Sequence, residues 1–65
     1  MNPEEIRRRI IELQVEHRDL DQIIDRLANQ LDHDELQLRR LKKRKLQIKD
    51  EMVMLQIQLV PDIPA

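Results

Sequence analysis

The sequence predicts an all-α protein: a two-helix antiparallel coiled-coil hairpin that self-associates into a four-helix bundle. The first indication is a pair of apolar seams with heptad spacing, which run through the 65-residue chain. The second is composition, because Leu, Ile, Glu, Gln, Lys and Arg dominate while Gly and aromatic residues are absent. The third is charge, since residues 1–38 carry ten acidic and five basic groups, net −5, and residues 39–65 carry seven basic and three acidic groups, net +4.

The first helix is predicted to run from about residue 3 to residue 31. Asn2 suits the N-cap position, Pro3 suits the first helical turn, and Glu5 can complete a capping box. After this start, apolar residues alternate at spacings of four and three, and His17 is the one polar member of the series. The predicted seam of helix 1 comprises Ile6, Ile10, Leu13, His17, Leu20, Ile24, Leu27 and Leu31.

The second helix is predicted over about residues 34–59, after a turn at residues 32–33. Its N-cap has two candidates, because either Asp32, with Glu35 three residues later, or Asp34 alone could accept the free backbone N–H groups. The seam continues with the same alternating spacing. The predicted seam of helix 2 comprises Leu38, Leu41, Lys45, Ile48, Met52, Leu55 and Leu59.

The C-terminal end of the second helix is set by Pro61. The residue before a proline is pushed out of the α-helical region, so the helix is predicted to stop just before it. Residues 1–60 then form a single helical-hairpin domain, and residues 61–65 are predicted to form an irregular tail.

No Gly or Pro separates the two seams, so the heptad spacing continues through the predicted turn. Two architectures are therefore compatible with the pattern. One is a hairpin that folds back near residues 32–33, and the other is one helix of about 58 residues, roughly 87 Å long, paired with another chain. The charge difference favours the hairpin, since folding back places the basic half beside the acidic residues of helix 1.

The favoured hairpin register places two residues opposite each other when their numbers sum to about 65, as for Leu13 and Met52. In this register Glu16 and Glu51 face each other unfavourably. A register shifted by one heptad replaces that contact with ion pairs but leaves apolar residues unpaired. Exposed ion pairs contribute little, whereas each lost Leu-sized burial costs about 1.5–3 kcal/mol, so the unshifted register is predicted. The ion pairs that the shifted register offers are Glu16–Arg44 and Arg9–Glu51.

A second set of apolar residues lies outside the seams, at the open end of the hairpin. Two helices alone cannot bury these side chains, and an exposed apolar patch of this kind indicates a protein interface. The simplest arrangement is a homodimer that forms a four-helix bundle, with another protein as the alternative partner. The predicted interface residues are Ile11, Val15, Val53, Ile57 and Val60.

Residues 39–49, here called the basic segment, place seven Lys and Arg side chains in eleven positions. Like charges four residues apart oppose the helix by about 0.2–0.5 kcal/mol each, so a neighbouring helix or a polyanion must neutralise them. Seven cations could bind nucleic-acid phosphates. Neutralisation by helix 1 is the favoured interpretation, because the net charge of the chain is −1 and the acidic residues of helix 1 supply intramolecular partners. The cations are Arg39, Arg40, Lys42, Lys43, Arg44, Lys45 and Lys49.

Lys45 is the polar interruption of the second seam. Its alkyl chain could cover Leu20 while its ammonium group reaches outward to Asp21 or Glu16. Polar seam residues of this kind fix the register of a coiled coil at some cost in stability. Lys45 is therefore predicted to specify how the two helices align.

The composition excludes several functional classes. Without Ser, Thr, Cys, Tyr or Gly, the chain lacks hydroxyl and thiol nucleophiles and Gly-rich phosphate loops, so no enzymatic activity, cofactor or small-molecule substrate is predicted. His17, Asp21 and Asp25 share a helical spacing, but two distant histidines without a third strong ligand predict no metal site. No apolar run approaches the roughly 20 residues of a membrane span, and the N-terminus lacks the apolar core of a signal peptide. A cytoplasmic protein without membrane contact is expected.

Three segments of the chain are similar to one known family. They are residues 16–24 (EHRDLDQII), residues 41–50 (LKKRKLQIKD) and residues 61–63 (PDI). On these segments the chain resembles the YdcH-like small bacterial proteins, a family of short helical proteins of unknown function. The resemblance implies a bacterial cytosolic helical hairpin or coiled coil, and it brings no catalytic residue to assign. Ile48 stands where the family pattern has Leu.

These observations predict a small, non-enzymatic helical interaction or adaptor protein that acts by coiled-coil self-association or by packing against a partner helix. The alternative is a nucleic-acid-associated protein that binds phosphates through the basic segment.

Overall fold

The structure, a computed structural model that describes residues 2–59, consists of two α-helices packed against each other. Helix α1 spans Pro3–Ala28 and helix α2 spans Glu35–Leu59. The chain reverses between them, so the helices are antiparallel and contact each other along their length. The predicted all-α hairpin is confirmed, and one continuous helix is excluded. The predicted tail at residues 61–65 and the predicted interface residue Val60 lie outside the described residues.

Helix α1 begins and ends with side-chain caps. At its start Asn2 Oδ1 accepts a hydrogen bond of 2.8 Å from the backbone N–H of Glu5, with Pro3 as the first helical residue. At its end Asn29 donates both its backbone N–H (3.2 Å) and its side-chain amide (2.8 Å) to the carbonyl oxygen of Asp25. The side-chain amide thus adds a second donor to a carbonyl oxygen in the last turn of α1, which stops at Ala28.

The predictions that helix 1 reaches residue 31 and that Leu31 belongs to the seam are wrong. Leu31 lies in the turn and its exposure is 102%. In the hairpin register its opposite position is Asp34, which serves as a cap for α2, so no apolar partner is available to bury it. The turn covers residues 29–34 rather than residues 32–33.

Asp34 is the N-cap of α2. Its Oδ1 accepts hydrogen bonds from the backbone N–H groups of Leu36 (2.9 Å) and Gln37 (3.2 Å). Of the two predicted capping alternatives, the structure therefore uses Asp34. Within the turn, His33 Nδ1 lies 3.0 Å from the carbonyl oxygen of Gln30.

The core lies along the interface between the two helices. Leu13 and Ile48 are completely buried, with 0% exposure, and form its centre. Leu20, Met52 and Leu59 are half-buried and pack against it. Apart from Leu31, every residue of the two predicted seams is buried or half-buried. The buried seam residues are Ile6, Ile10, Leu13, Ile24, Leu38, Ile48 and Leu55.

Both helices are long enough to cross a membrane, with 26 and 25 residues. Charged side chains, however, interrupt the apolar residues of both helices. Within residues 2–59, neither helix contains an apolar stretch of the length that a membrane span requires.

Candidate interaction surface

The hairpin is a flat body with two broad sides, and the ion pairs that Arg9 and Arg44 form between the helices lie on one of them. Arg9 Nε lies 3.3 Å from Glu51 Oε1, and Arg9 Nη1 lies 3.2 Å from Glu12 Oε2. Farther along, Arg44 Nη2 lies 3.5 Å from Glu16 Oε2. The hydrogen bond from Arg9 to Glu12, and then the proximity of Glu51, raise the pKa of the guanidinium above its ordinary value. The side with Arg9, Glu16, Arg44 and Glu51 is called the ion-paired side.

These ion pairs were predicted only for the shifted register, yet the helices pack in the unshifted one. Ile10 lines a groove together with Gln56 and Leu59, and Ile24 lines another with Lys42, as the unshifted register requires. In this register each arginine is offset from its glutamate by five residues along the axis, about 7.5 Å. Two long side chains span that offset diagonally. The unfavourable approach of Glu16 to Glu51 is thereby relieved, because each glutamate reaches an arginine instead.

The opposite broad side carries open grooves between the helices and is called the groove side. A groove of about 490 Å³ with a mainly apolar floor lies in the middle of the hairpin; it is larger than the two grooves beside it and is called the largest groove. A second groove runs along the open end, where Ile11 and Gln14 of α1 face Gln56 of α2. A third lies toward the turn. The residues that line the largest groove are His17, Ile24, Lys42, Lys45, Leu46 and Lys49.

The basic segment is only partly neutralised by α1. Arg44 pairs with Glu16 and Lys45 pairs with Asp21, so two of the seven cations have intramolecular partners. The predicted neutralisation by helix 1 is thus partial. Among residues 2–59, the following cations make no ion pair: Arg39, Arg40, Lys42, Lys43 and Lys49.

Lys45 lies in the seam and reaches outward to Asp21, with its Nζ 2.5 Å from Asp21 Oδ1. This is one of the two partners predicted for its ammonium group. The hydrogen bond from Lys45, together with its positive charge, lowers the pKa of the Asp21 carboxyl, and the proximity of His17 lowers it slightly further. The pair joins the two helices at one specific level, as a register-fixing contact must.

Because the pKa of Asp21 is lower in the folded chain than in the unfolded chain, its ion pair stabilises the hairpin above the unfolded value of about 4 and loses that effect in acid. Asp21→Asn is therefore expected to lower the unfolding temperature at about pH 7 but not at about pH 2. Thermal unfolding followed by circular dichroism measures both. Asp19→Asn, at an exposed aspartate without an ion pair in the described chain, is the control. An equal loss at both pH values would contradict the assignment.

The candidates for metal or acid–base chemistry do not converge. His17 is half-buried in the largest groove, and Asp21 is engaged by Lys45. Across residues 2–59, no three His, Asp or Glu side chains lie close enough together to hold one metal ion.

The predicted interface residues are exposed wherever the structure describes them: Ile11, Val15, Val53 and Ile57 all lie open to solvent. Ile11 lines the groove at the open end. Val53 lies one helical turn from both Lys49 and Gln56, which line grooves of the same side. Ile11 and Val53 therefore belong to the groove side, whereas Val15 and Ile57 occupy the heptad position that faces away from the seam.

A family model described as "Protein of unknown function (DUF465)" matches residues 11–56. The chain belongs to this family. The YdcH-like proteins are members of DUF465, so the resemblance found in the sequence is confirmed. No curated protein and no solved structure matches the chain.

In this DUF465 chain, the exposed apolar residues Ile23, Leu36 and Leu46 were assigned neither to the seams nor to the interface from the sequence. Leu46 is 59% exposed and lines the largest groove between lysines 42, 45 and 49. Leu46 occupies the same heptad position as Ile11 and Val53, so the heptad spacing predicts that it lies on the same side of the hairpin as these two residues. Leu46 was not predicted as an interface residue because it lies within the basic segment, among lysines.

Proposed function

We propose that this protein is a non-enzymatic helical interaction protein that self-associates through the groove side of its hairpin, most simply as a dimer forming a four-helix bundle. The observation that carries the proposal is the row of exposed apolar side chains on one broad side. A monomer would leave Ile11, Leu46 and Val53 of this side in water, and contiguous patches of this kind mark interfaces. A helix of another protein could occupy the same surface in an adaptor role.

The size of the core supports self-association. Leu13 and Ile48 are the largest side chains that become completely buried in the described chain. Chains of this length bury a smaller fraction of their surface than larger domains do and have a small margin of stability, which association, metals or disulfides can increase. Cysteine is absent from the sequence, so disulfides are not available. A second hairpin would supply the missing apolar burial.

The residue types support a non-enzymatic role. The sequence contains no Ser, Thr, Cys or Tyr, which are the usual hydroxyl and thiol nucleophiles. His17 lies near Asp21, whose carboxylate is already bound to Lys45. A general base needs a carboxylate or imidazole free to take a proton.

The second candidate is phosphate binding by the basic segment. Five of its seven cations make no ion pair within residues 2–59, which favours this candidate. They are spread around α2, however: Lys42 and Lys49 line the groove side, whereas Lys43 follows Lys42 by about 100° around the helix. A nucleic-acid backbone lying along one side of α2 would therefore contact only some of these cations.

Sedimentation equilibrium and gel-shift titration separate the two functions. We expect twice the 7.9 kDa chain mass at micromolar concentrations, and only weak binding to duplex DNA or RNA. Both measurements are made at about 50 mM and about 200 mM salt. A monomer would overturn self-association. Tight nucleic-acid binding that falls steeply between the two salt concentrations would make phosphate binding the function instead.

A further inference from the structure

We propose that the two hairpins of the dimer face each other through their groove sides around a two-fold axis parallel to the helices, so that both turns lie at the same end. This arrangement rests on the proposed self-association and specifies its geometry. It follows from how charge and apolar surface are distributed along the groove side.

In the half of the groove side nearer the turn, acidic side chains lie on α1 and basic side chains lie on α2. On α1, Asp21 and Asp25 line the groove toward the turn, and Lys42 of α2 lines it at the same level. Arg39 lies one turn before Lys42, and Lys49 lies two turns after it. Apart from the Asp21–Lys45 pair, the described residues show no ion pair among these groups.

The half nearer the open end is mostly uncharged. Ile11 and Gln14 of α1 face Gln56 of α2 there, and Arg7 is the one cation that lines the groove. Val53 lies one turn before Gln56 on α2 and is exposed. This half of the side therefore offers apolar contact area with a few neutral hydrogen-bonding groups.

A two-fold axis parallel to the helices places α1 of each chain opposite α2 of the other at the same axial level. Asp21 and Asp25 then meet Lys42 of the second copy, and Ile11 meets Val53 of the second copy. Each contact occurs twice, as in every isologous interface. Opposite charges therefore face each other near the turn while apolar surfaces meet at the open end.

The arrangement contains one like-charge approach. Arg18 lies one turn before Asp21 and comes near Lys49 of the second copy. This one repulsion is opposed by the attraction of two aspartates, Asp21 and Asp25, to Lys42 of the second copy. The Arg18 side chain is also exposed and can turn toward water.

An axis perpendicular to the helices gives a poorer match. It places α1 against α1 and, when the hairpins overlap fully, lays the apolar half of one chain on the charged half of the other. Lys42 and Lys49 would then lose water without gaining carboxylate partners, which is costly. A smaller overlap avoids this cost but gives up contact area.

The groove side is large enough for a stable interface. The molecule measures 48 × 24 × 15 Å, so each broad side is 48 Å long and 24 Å wide. A standard interface buries roughly 800 Å² per partner. Overlap along the whole hairpin can supply this area.

Spin labels test the orientation. Because the sequence has no Cys, Gln30→Cys in the exposed turn gives one label per chain. Parallel hairpins with helices about 10 Å apart place the two labels within roughly 25 Å. A perpendicular axis would separate the turns by about the length of α1, roughly 39 Å. A dimer with the long distance would overturn the parallel arrangement and leave self-association intact, whereas a monomer would overturn both.

Exchanging the charges of Asp25 and Lys42 tests the proposed contact between the acidic residues of one chain and the basic residues of the other. Asp25→Lys and Lys42→Asp are each expected to weaken the dimer about tenfold. An equimolar mixture of the two variants is expected to restore it, because each lysine then meets an aspartate of the second copy. Lys43→Asp, which carries the same charge change about 100° around the helix, is the control and is expected to leave the dimer unchanged. Failure of the mixture to recover, or an equal effect of Lys43→Asp, would overturn the proposed contact.

Discussion

Leu13→Ala is expected to destabilise the hairpin by about 2–5 kcal/mol, the usual cost of deleting a buried leucine side chain. Leu13 is completely buried at the centre of a small core, where few neighbours can move to fill the cavity. Small domains have a total stability of about 5–15 kcal/mol, so this loss is a large fraction. The unfolding temperature is expected to fall by on the order of 15 °C in thermal scans followed by circular dichroism.

Leu31→Ala is the matched control, because it deletes the same atoms from a fully exposed leucine in the turn. It is expected to change stability by less than about 0.5 kcal/mol. A comparable loss at both positions would mean that Leu31 packs as a seam residue and that the turn is misplaced. A negligible effect at Leu13 would contradict the observed core.

Val53→Asp is expected to dissociate the proposed dimer, since it places a charge in the centre of the proposed apolar contact. Each dimer loses two buried valines and must desolvate two carboxylates, so the dimer should weaken by at least about a hundredfold. Sedimentation equilibrium measures the change. Circular dichroism establishes that the variant remains helical.

Ile23→Asp is the control for this prediction. Ile23 is 42% exposed and Val53 is 46% exposed, so the two side chains are similarly open to water. Ile23 lies two turns beyond Glu16, however, and therefore on the ion-paired side. Dissociation by Ile23→Asp alone would assign the interface to that side, and an unchanged mass for both variants would remove both sides from consideration.

The basic segment has cations that form ion pairs within the hairpin and other cations that remain available for contacts with a second copy. Arg44 and Lys45 form ion pairs with Glu16 and Asp21 between the two helices. Lys42 and Lys49 remain on the groove side, where they could meet carboxylates of a second copy. A segment that resembles a phosphate-binding helix thus has a structural role for two cations and a proposed interface role for two others.

The sequence by itself determined the two helices, the Asn2 cap and the seam residues other than Leu31, because these features depend on local spacing and local hydrogen bonding. It also determined the family, through segments that lie mainly within the matched region. The hairpin could be favoured but not established, since the heptad spacing runs unbroken through the turn.

Only the tertiary structure decided where α1 stops, how the ion pairs form and which side stays open. Leu31 fits the seam by spacing, but burial requires an opposite apolar partner, and the fold places Asp34 there. Arg9 and Arg44 reach glutamates diagonally, which depends on side-chain length across the packed interface. The separation into an ion-paired side and a groove side likewise arises when the two helices pack, because each helix alone presents its charges all around.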